Sequence, residues 1–372
     1  MKTVGRALLA MTTTALLSLA AHAQTLVIGQ TSGVTGPVAA GVKENIDGAK
    51  LYFDAINAAG GINGRRLELV TLDDKFDPKL AAENARKLIV ERNAIALFMN
   101  RGTPHTEAIR PLLDQYEVPL VAPSTGAMVL HKPVHPWIFN VRATYQREAD
   151  KAVNHLASVG LQRIGIFQVA DSFGDDGAAG ALRGFDGAKL KPVFHEKFDR
   201  SKPDLAPLVK LVQGADAQAV VFIAAAAVVA EGTKLLRQAG LKTQIVTLSN
   251  NASSGFIKQM GEHGAGTIVT QVFPNERGLS IAMIRQITDL AQKAKLGEVT
   301  PAMLEGFAGA KVLVEGLRRA GNNPSRASLQ AALNGFRRVD IGGLEVSFSP
   351  GDHSGLDFAD LSIISADGRF RR

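Results

Sequence analysis

Residues 26–72 read LVIGQTSGVTGPVAAGVKENIDGAKLYFDAINAAGGINGRRLELVTL. The stretch begins with the β-branched run 26–28, continues with a helical spacing of apolar residues over 46–58, and ends with a strand-like run over 67–72. Parallel neighbours in a sheet need a long crossover connection, and a helix normally supplies it. This order of segments therefore predicts a βαβ unit at the start of the folded chain.

The same alternation extends along the rest of the chain. Strand-like runs follow at 95–99, 118–122, 137–141, 164–169, 220–223, 245–248 and 268–273. Helical spacing is found at 80–90, 106–115, 148–158, 176–190, 228–239, 281–295, 303–319 and 325–333. The pattern predicts the α/β class with two parallel sheets. It leaves open which of the two sheets the last helices cover.

Residues 1–23 have the features of a removable export signal. Lys2 and Arg6 supply a basic start, an apolar stretch follows, and Ala21-His22-Ala23 offers small residues for cleavage before Gln24. The apolar stretch is shorter than the ~20 residues that a membrane-spanning helix needs, and no later stretch is long enough. We therefore predict an exported protein that does not itself span a membrane.

Composition narrows the compartment and the class of partner. The chain contains no cysteine, so neither disulfides nor lipid attachment through cysteine can form. An exported protein without an anchor is retained only inside an outer membrane, which predicts the periplasm. The formal charge of +7 is scattered without a long basic run, so no nucleic-acid partner is expected. A hydrophobic content of 46% over 372 residues favours two domains with full cores.

Sequence motifs for catalysis, cofactors and metals are missing. In Gly29-Gln30-Thr31-Ser32-Gly33 the serine comes one place too late for a nucleophile elbow, and no glycine-rich loop has the spacing that binds a dinucleotide or a phosphate. His131 and His135 are separated by Pro133, which argues against one helix presenting both to a metal. We interpret them as part of a surface loop, and predict no enzyme, no cofactor and no metal site.

Loops that follow predicted strands have the composition of a ligand site. Residues 100–104, Asn-Arg-Gly-Thr-Pro, open a helix with Thr103 as the expected cap. Arg101 is either a cation for an acid group or a solvated surface arginine. Small or polar residues follow three further strands, and helix N-termini there offer free N–H groups to an anion. The candidate ligand contacts in these three loops are Ser124, Thr125, Gly126, Phe173, Ser249 and Asn250. Each loop either contacts a ligand or serves only as a cap and turn, and Phe173 either stacks on a ligand or fills the core.

Longer motifs resemble those of the leucine/isoleucine/valine-binding proteins, which are type I periplasmic binding proteins of branched-chain amino-acid ABC importers. The resemblance covers nearly the whole mature chain. Its motifs are Thr35-Gly36-Pro37-Val38-Ala39, Asp47-Gly48-Ala49, the run 56–65, Asp73-Asp74 with Asp77-Pro78, Phe173-Gly174 and the run 236–243. The resemblance implies two Rossmann-like lobes joined by three crossovers that close on a ligand by hinge motion.

Carried onto this chain, the resemblance implies crossovers near 142–143, 273–274 and 349–350. The N-terminal lobe would then comprise 24–142 plus 274–349, and the C-terminal lobe 143–273 plus 350–372. It also implies that the Thr103 hydroxyl holds the ligand carboxylate, and that Ser124 and Gly126 offer groups to the carboxylate and the amine. Phe173 matches an aromatic wall.

Three positions depart from the family pattern. A first-lobe aromatic falls at about Gly41, a second-lobe tyrosine at about Ala225, and the acid that pairs with the ligand ammonium at about Ser249. A buried ammonium without a counter-charge is costly, so an α-amino acid is not the expected ligand. The two missing aromatics predict a roomier pocket. We therefore expect a carboxylate without an α-ammonium, such as an aromatic or short-chain acid.

The resemblance implies a solute-binding component that presents its ligand to an ABC permease in the inner membrane. A second hypothesis uses the same two lobes in a periplasmic sensor that delivers a signal to a receptor partner. Neighbouring permease genes would distinguish the two.

Overall fold

The computed structural model describes residues 25–372; the predicted export signal lies outside them. The first lobe contains strands β1 (Leu26–Ser32), β2 (Leu67–Asp73), β3 (Ala96–Phe98), β4 (Leu120–Val121) and β5 (Ile138–Phe139). They are connected by α1 (Ala39–Ala58), α2 (Pro78–Val90) and α3 (Thr103–Tyr116). The strands form a five-stranded parallel sheet in the order β2-β1-β3-β4-β5.

After β5 the chain enters a second lobe that repeats the alternation. Its helices are α4 (Tyr145–Ser158), α5 (Ser172–Ala188), α6 (Ala206–Gly214), α7 (Ala226–Gln238) and α8 (Ser254–Met260). Its parallel strands are β6 (Ile164–Val169), β7 (His195–Phe198), β8 (Ala219–Ile223), β9 (Gln244–Thr247) and β10 (Ile268–Gln271). Their order, β7-β6-β8-β9-β10, repeats that of the first sheet. In both sheets the strand order reverses beside the first strand, where a ligand crevice forms in open α/β sheets.

The chain then returns to the first lobe. This segment contains α9 (Ala282–Lys293), α10 (Pro301–Arg319), α11 (Arg326–Asn334) and a small antiparallel pair, β11 (Val339–Asp340) and β12 (Glu345–Val346). Glycines let α10 pack tightly along α1: a Cβ at Gly306 would lie 1.9 Å from the carbonyl oxygen of Asn45, and one at Gly48 would lie 2.0 Å from that of Met303. The last helices, whose place the pattern left open, therefore cover the first sheet.

The last segment crosses to the second lobe again. Strands β13 (Asp360–Ile364) and β14 (Phe370–Arg371) extend the second sheet to seven strands, and β13 pairs antiparallel with β10. The sequence pattern did not predict these strands. The β-branched residues of β13 are limited to the pair Ile363-Ile364, which is too short a run to predict a strand, and β13 pairs with β10 through residues 360–363.

Both faces of the first sheet are covered, as expected for parallel strands. Leu26 and Ile28 of β1, with Phe98 of β3, belong to the apolar cluster that includes residues of α1 and α10. Leu97 of β3 points to the opposite side and joins the cluster that includes residues of α2 and α3. A separate cluster forms the core of the second lobe.

The interpretation of His131 and His135 as part of a surface loop is wrong. Both side chains are buried, with 2% and 7% exposure. Nδ1 of His131 lies 2.8 Å from Oγ of Ser354, which belongs to the last connection between the lobes. That connection is distant in sequence, so local pattern did not reveal it. Residues 25–372 contain no group of three or more side chains that could hold a metal, and no helix long and apolar enough to cross a membrane.

Candidate functional site

A cavity with about 330 Å³ of empty space, part of it open to solvent, lies between the two lobes. Every residue that lines it follows the carboxyl end of one of the parallel strands. The first lobe contributes Val38, Phe76, Arg101, Gly102 and Ser124, and the second lobe contributes Tyr145, Phe173, Arg200, Ala225 and Asn250. Among residues 25–372, no aspartate or glutamate lines the cavity. Helix N-termini and strand ends from two sheets therefore converge on one site.

Arg101 is the buried cation of this cavity. It is 5% exposed. Its guanidinium donates to the carbonyl oxygen of Asn250 in the opposite lobe and, at 3.4 Å, to Oδ1 of Asn45 in its own lobe. Within residues 25–372, no carboxylate oxygen lies within 4.0 Å of the guanidinium nitrogens. Burial lowers the pKa of Arg101, and the nearest acids, including Glu305, act on it only from a distance. The site thus holds a guanidinium that lacks a counter-ion of its own.

Two glycines leave space around Arg101 and so help to position its guanidinium. Gly102 precedes α3 with φ +100°, a conformation that L side chains rarely adopt, and a Cβ there would lie 2.5 Å from Nδ1 of His105. On α1, a Cβ at Gly41 would lie 3.5 Å from the Arg101 guanidinium. Arg101 therefore occupies space that a larger side chain at position 41 would take. The room expected at Gly41 is therefore occupied by Arg101, and the roomier pocket expected from the two missing aromatics stays a prediction.

Two polar atoms of the cavity wall lack partners. Oγ of Ser124 is buried and makes no hydrogen bond within the described chain, although its backbone N–H donates to the carbonyl oxygen of Asn100 at 2.8 Å. Oδ1 of Asn250 is also unpartnered, while its Nδ2 donates to the carbonyl oxygen of Ala224 at 3.0 Å. Buried polar atoms are normally hydrogen-bonded, so these two are available to a bound solute.

Aromatic rings form the apolar part of the wall. Tyr145 begins α4, directly after the first crossing between the lobes, and its ring centroid lies 4.9 Å from that of Phe173 at an angle of 67°. Phe173 is fixed at the start of α5, where the Asp171 carboxylate accepts from its backbone N–H at 2.9 Å. Phe76 belongs to the first lobe, stacks on the His105 ring at 4.4 Å and lies 4.9 Å below the guanidinium of Arg200. The three rings thus add apolar surface to the wall, which suits an apolar part of a solute.

Arg200, the second cation of the wall, differs from Arg101. It forms an ion pair with Asp171, which belongs to the same lobe. Its positive charge is therefore already compensated, and its guanidinium covers the Phe76 ring from the opposite lobe.

A third buried arginine, Arg142, lies behind the cavity. It pairs with Glu148 and, at 3.5 Å, with Glu305, and it also donates to the hydroxyl of Ser249. Burial lowers the pKa of Arg142, but Glu148, Tyr145 and Glu305 outweigh this effect and raise it overall. The backbone N–H of Ser249 donates to Glu148 at 2.9 Å. Glu148 is therefore occupied by protein groups and does not face the cavity.

Comparison with known proteins agrees with this architecture. A sequence model of the periplasmic binding protein family matches residues 25–360. The chain belongs to this family. It is a family of solute-binding proteins rather than enzymes, and the match confirms the predicted resemblance and the type I fold of this periplasmic binding protein.

Individual relatives agree with the family. The Leu/Ile/Val-binding protein of Escherichia coli is 26% identical over 72% of this chain and 73% of its own length. An amino acid binding protein of Pseudomonas aeruginosa is 27% identical over 58% of this chain and 59% of its own length.

Solved structures match almost the whole binding protein. A possible leucine/isoleucine/valine-binding protein from Rhodopirellula baltica has a TM-score of 0.87 and 26% identity, covering 94% of this chain and 97% of its own. A substrate-binding periplasmic protein from Ralstonia solanacearum has a TM-score of 0.85 and 28% identity, covering 93% and 99%.

Four of the predicted contact residues lie behind the cavity wall of this binding protein. The Thr103 and Thr125 hydroxyl oxygens lie 2.7 Å apart and bond to each other. Gly126 faces the first crossing, because a Cβ there would lie 2.6 Å from the carbonyl oxygen of Ala143, and Ser249 faces Arg142. The other four, Arg101, Ser124, Phe173 and Asn250, line the cavity. Thr103 was expected to cap α3, but that expectation is wrong, because Gly102 occupies the cap position.

Sequence reasoning did not select Val38, Phe76, Tyr145 or Arg200 as site residues of the binding protein. Each follows a strand end, which is a signal that could have found them. Phe76 lies between Asp74 and Asp77 of one family motif, but it is not itself one of the motif residues. Arg200 follows β7, a strand with mostly exposed side chains, so the pattern gives its loop no sign of a buried site.

Proposed function

We propose that this protein is the solute-binding component of an ABC importer of the branched-chain amino acid type, and that its solute is a small carboxylate without an α-ammonium. The observation that carries the proposal is the buried Arg101 guanidinium, which faces the cavity without a carboxylate partner within the described chain. An isolated buried charge costs several kcal/mol, so an anionic solute is the group that stabilises it.

An α-amino acid fits this cavity less well. Its ammonium would need an acid, and none lines the cavity within residues 25–372. Ser249 offers no charge, and the nearby Glu148 already accepts from Arg142 and from the Ser249 backbone. An ammonium would therefore meet Arg101 without compensation, and like charges in a buried site repel each other.

The remaining wall suits the rest of such a solute. Oγ of Ser124 can donate to the carboxylate beside Arg101, and Oδ1 of Asn250 can accept from a hydroxyl or amide of the solute. The rings of Phe173, Tyr145 and Phe76 supply apolar contact. A carboxylate with an aromatic or short aliphatic body satisfies both halves of the cavity.

Closure of the lobes is the mechanism that we propose for capture. The Glu44 carboxylate of the first lobe accepts from the backbone N–H of Ser254 at 3.1 Å and that of Gly255 at 2.9 Å in the second, and Ser172 donates to Glu107 across the same cleft. A solute that contacts both lobes favours the closed form, because it binds that form more tightly than an open one. We propose hinges near 142–143, 273–274 and 349–350, and we propose the same positions as the boundaries of the two lobes.

The proposal also includes export to the periplasm and an ABC permease as the partner. The signal predicted at residues 1–23 would deliver the chain to the periplasm, where an inner-membrane ABC permease would receive the closed, loaded form. The names of the Leu/Ile/Val-binding relatives support an importer of this type.

Matched solutes test the proposal directly. Leucine and 4-methylpentanoate differ only in the α-ammonium, and benzoate and benzamide differ in the charge of the head group. Calorimetric titration of the purified protein should give at least tenfold tighter binding for 4-methylpentanoate than for leucine, and for benzoate than for benzamide. Micromolar binding of leucine with no binding of any acid would overturn the assignment of the solute.

Uptake tests the importer role separately. A strain that lacks this protein should lose high-affinity uptake of the radiolabelled acid and recover it on complementation. Unchanged uptake, despite tight binding in vitro, would contradict an importer role.

A further inference from the structure

A second cavity adjoins the first at the cleft between the lobes. It has about 720 Å³ of empty space, part of it open to solvent. Its walls come from both lobes: Pro37, Lys75, Phe76, Asp77 and Pro78 from the first, and the last residues of β6 and β7 with residues that follow β7 and β8 from the second. Because neither lobe encloses it alone, this outer cavity depends on the closed arrangement.

The two cavities share part of their walls. Phe76, Arg200 and Ala225 line both of them, so they form the boundary between the inner cavity at Arg101 and the outer cavity. Ala225 is the small residue of this boundary, and it contributes only a methyl group. The shared residues therefore place the inner and outer cavities side by side, with Ala225 as the smallest side chain between them.

The outer cavity is mainly apolar beyond this boundary. Its apolar side chains include Pro37, Pro78, Val169, Phe198, Pro203 and Val228. The charged members, Lys75 and Asp77, are exposed. Arg200 is already paired with Asp171 and stacked on Phe76, so it offers no uncompensated charge. Such a cavity favours a hydrocarbon group, since burial of apolar area is the interaction its walls offer.

We propose that the outer cavity is a second part of the solute site, and that the natural solute is a monocarboxylate whose apolar chain runs from Arg101 past Ala225 into it. This inference rests on the proposed function, because it places the carboxylate at Arg101. It adds a chain-length requirement that the inner cavity alone does not impose. A chain that spans both cavities also contacts both lobes, which strengthens the preference for the closed form.

A homologous series of straight-chain acids tests the inference. The dissociation constants of butanoate, hexanoate, octanoate and decanoate are measured by calorimetry on the purified protein. Each methylene that enters the outer cavity should tighten binding roughly fourfold, as expected for burial of one methylene from water. The affinity should then level off once the chain fills the outer cavity.

Two variants locate the effect. Val228 of α7 lines the outer cavity only, so Val228→Trp should reduce the ratio of octanoate to butanoate affinity by at least tenfold. Ala227 is the preceding residue, is exposed and lines neither cavity, so Ala227→Phe should leave that ratio unchanged. Ala225→Phe, which narrows the boundary itself, provides a second blocking variant should Val228→Trp fail to fold.

The outcomes separate the two proposals. Binding of short acids with no gain from butanoate to decanoate would overturn the outer site and leave the proposed function intact. Absence of binding by every acid in the series would overturn both. A gain with chain length that Val228→Trp and Ala225→Phe leave unchanged would place the chain elsewhere and contradict the outer site.

Discussion

Arg101 and Arg142 are both buried, at 5% and 2% exposure, yet their surroundings are opposite. Arg142 contacts the carboxylates of Glu148 and Glu305, so its charge is compensated within the protein. Arg101 contacts a peptide carbonyl and the Asn45 amide, and Asn45 in turn donates to Glu305 at 3.2 Å. An amide thus separates Arg101 from the acid that Arg142 contacts directly.

The difference shows how a buried cation with a structural role can be distinguished from one that binds a ligand: by whether carboxylates of the protein compensate its charge. A guanidinium with two carboxylates has its charge neutralised and serves to hold the segments that supply them. A guanidinium with only neutral acceptors keeps most of its charge available for an anion from outside. The first type belongs to the crossing between the lobes, and the second belongs to the cavity wall.

Replacing Arg142 should have the largest effect. Arg142→Met leaves Glu148 and Glu305 buried without their cation, so we expect a loss of roughly 3–5 kcal/mol in the free energy of unfolding. Urea denaturation measures this loss. Arg147 is the matched control, since its pair with Asp357 is exposed and Arg147→Met should cost less than about 1 kcal/mol. Equal effects of the two variants would contradict the structural assignment of Arg142.

Replacing Arg101 should affect binding instead of stability. Arg101→Met removes the counter-ion of the carboxylate, so we expect Kd for 4-methylpentanoate to rise about 100-fold, which corresponds to about 2.7 kcal/mol. Unfolding of the solute-free protein should be unchanged or shifted to higher urea, because an uncompensated buried charge is removed. Arg101→Lys, which keeps the charge, should lose less affinity. A strongly destabilised Arg101→Met protein with intact affinity would reverse the assignment.

Substitution of Gly41 should have a smaller effect. A Cβ at position 41 would lie in ordinary contact with the Arg101 guanidinium at 3.5 Å, whereas a longer side chain would displace it. We expect Gly41→Leu to weaken acid binding about tenfold, and Gly41→Ala to retain affinity with a gain of ~0.5–1 kcal/mol in helix stability. Calorimetry and thermal unfolding on the same samples separate the two effects. Full affinity in Gly41→Leu would show that the guanidinium position is not decisive.

Changing the pH should have the smallest effect on binding. Arginine keeps its proton throughout the accessible range, so Kd for the acid should change less than twofold between pH 7 and 9. His105 is buried against the Phe76 ring, and burial lowers its pKa to about 4, so it stays neutral there. A tenfold change in Kd over this range would indicate a titrating group at the site and contradict recognition by arginine.

The stability of the folded protein, unlike binding, should depend on pH, and the change is expected at acidic pH. Burial lowers the pKa of His105 and His131 from 6.5 to about 4, so the unfolded chain takes up protons first as the pH falls, and stability is lost between about 6.5 and 4. Asp74 opposes this: burial raises its pKa from 3.8 to about 6, which adds stability as the pH falls through that value. Burial also lowers the pKa of His135, His195 and His353, and raises that of Asp176. Since more histidines than aspartates are shifted, thermal unfolding at pH 4.5 should occur at a lower temperature than at pH 7.

The fold was largely predictable because its signals are local. β-branched runs alternate with helical periodicity through most of the chain, and this alternation is enough to predict the α/β class. The alternation also predicted where the strands end. The residues selected because they come directly after predicted strands include four that line the cavity: Arg101, Ser124, Phe173 and Asn250. The exceptions, such as β13, have too short a β-branched run to be recognised from the sequence, and their pairing with a neighbouring strand reveals them.

The sequence by itself determined the alternation of strands and helices, the family, and the loops from which a site could be built. Only the tertiary structure decided that Arg101 lacks a carboxylate while Arg142 contacts two, and that Thr103 and Thr125 bond to each other. It also decided that Phe76, Arg200 and Ala225 line two neighbouring cavities. The physical reason is that local pattern reports which face of an element is apolar. Charge compensation and cavity shape depend instead on atoms that are brought together from distant parts of the chain.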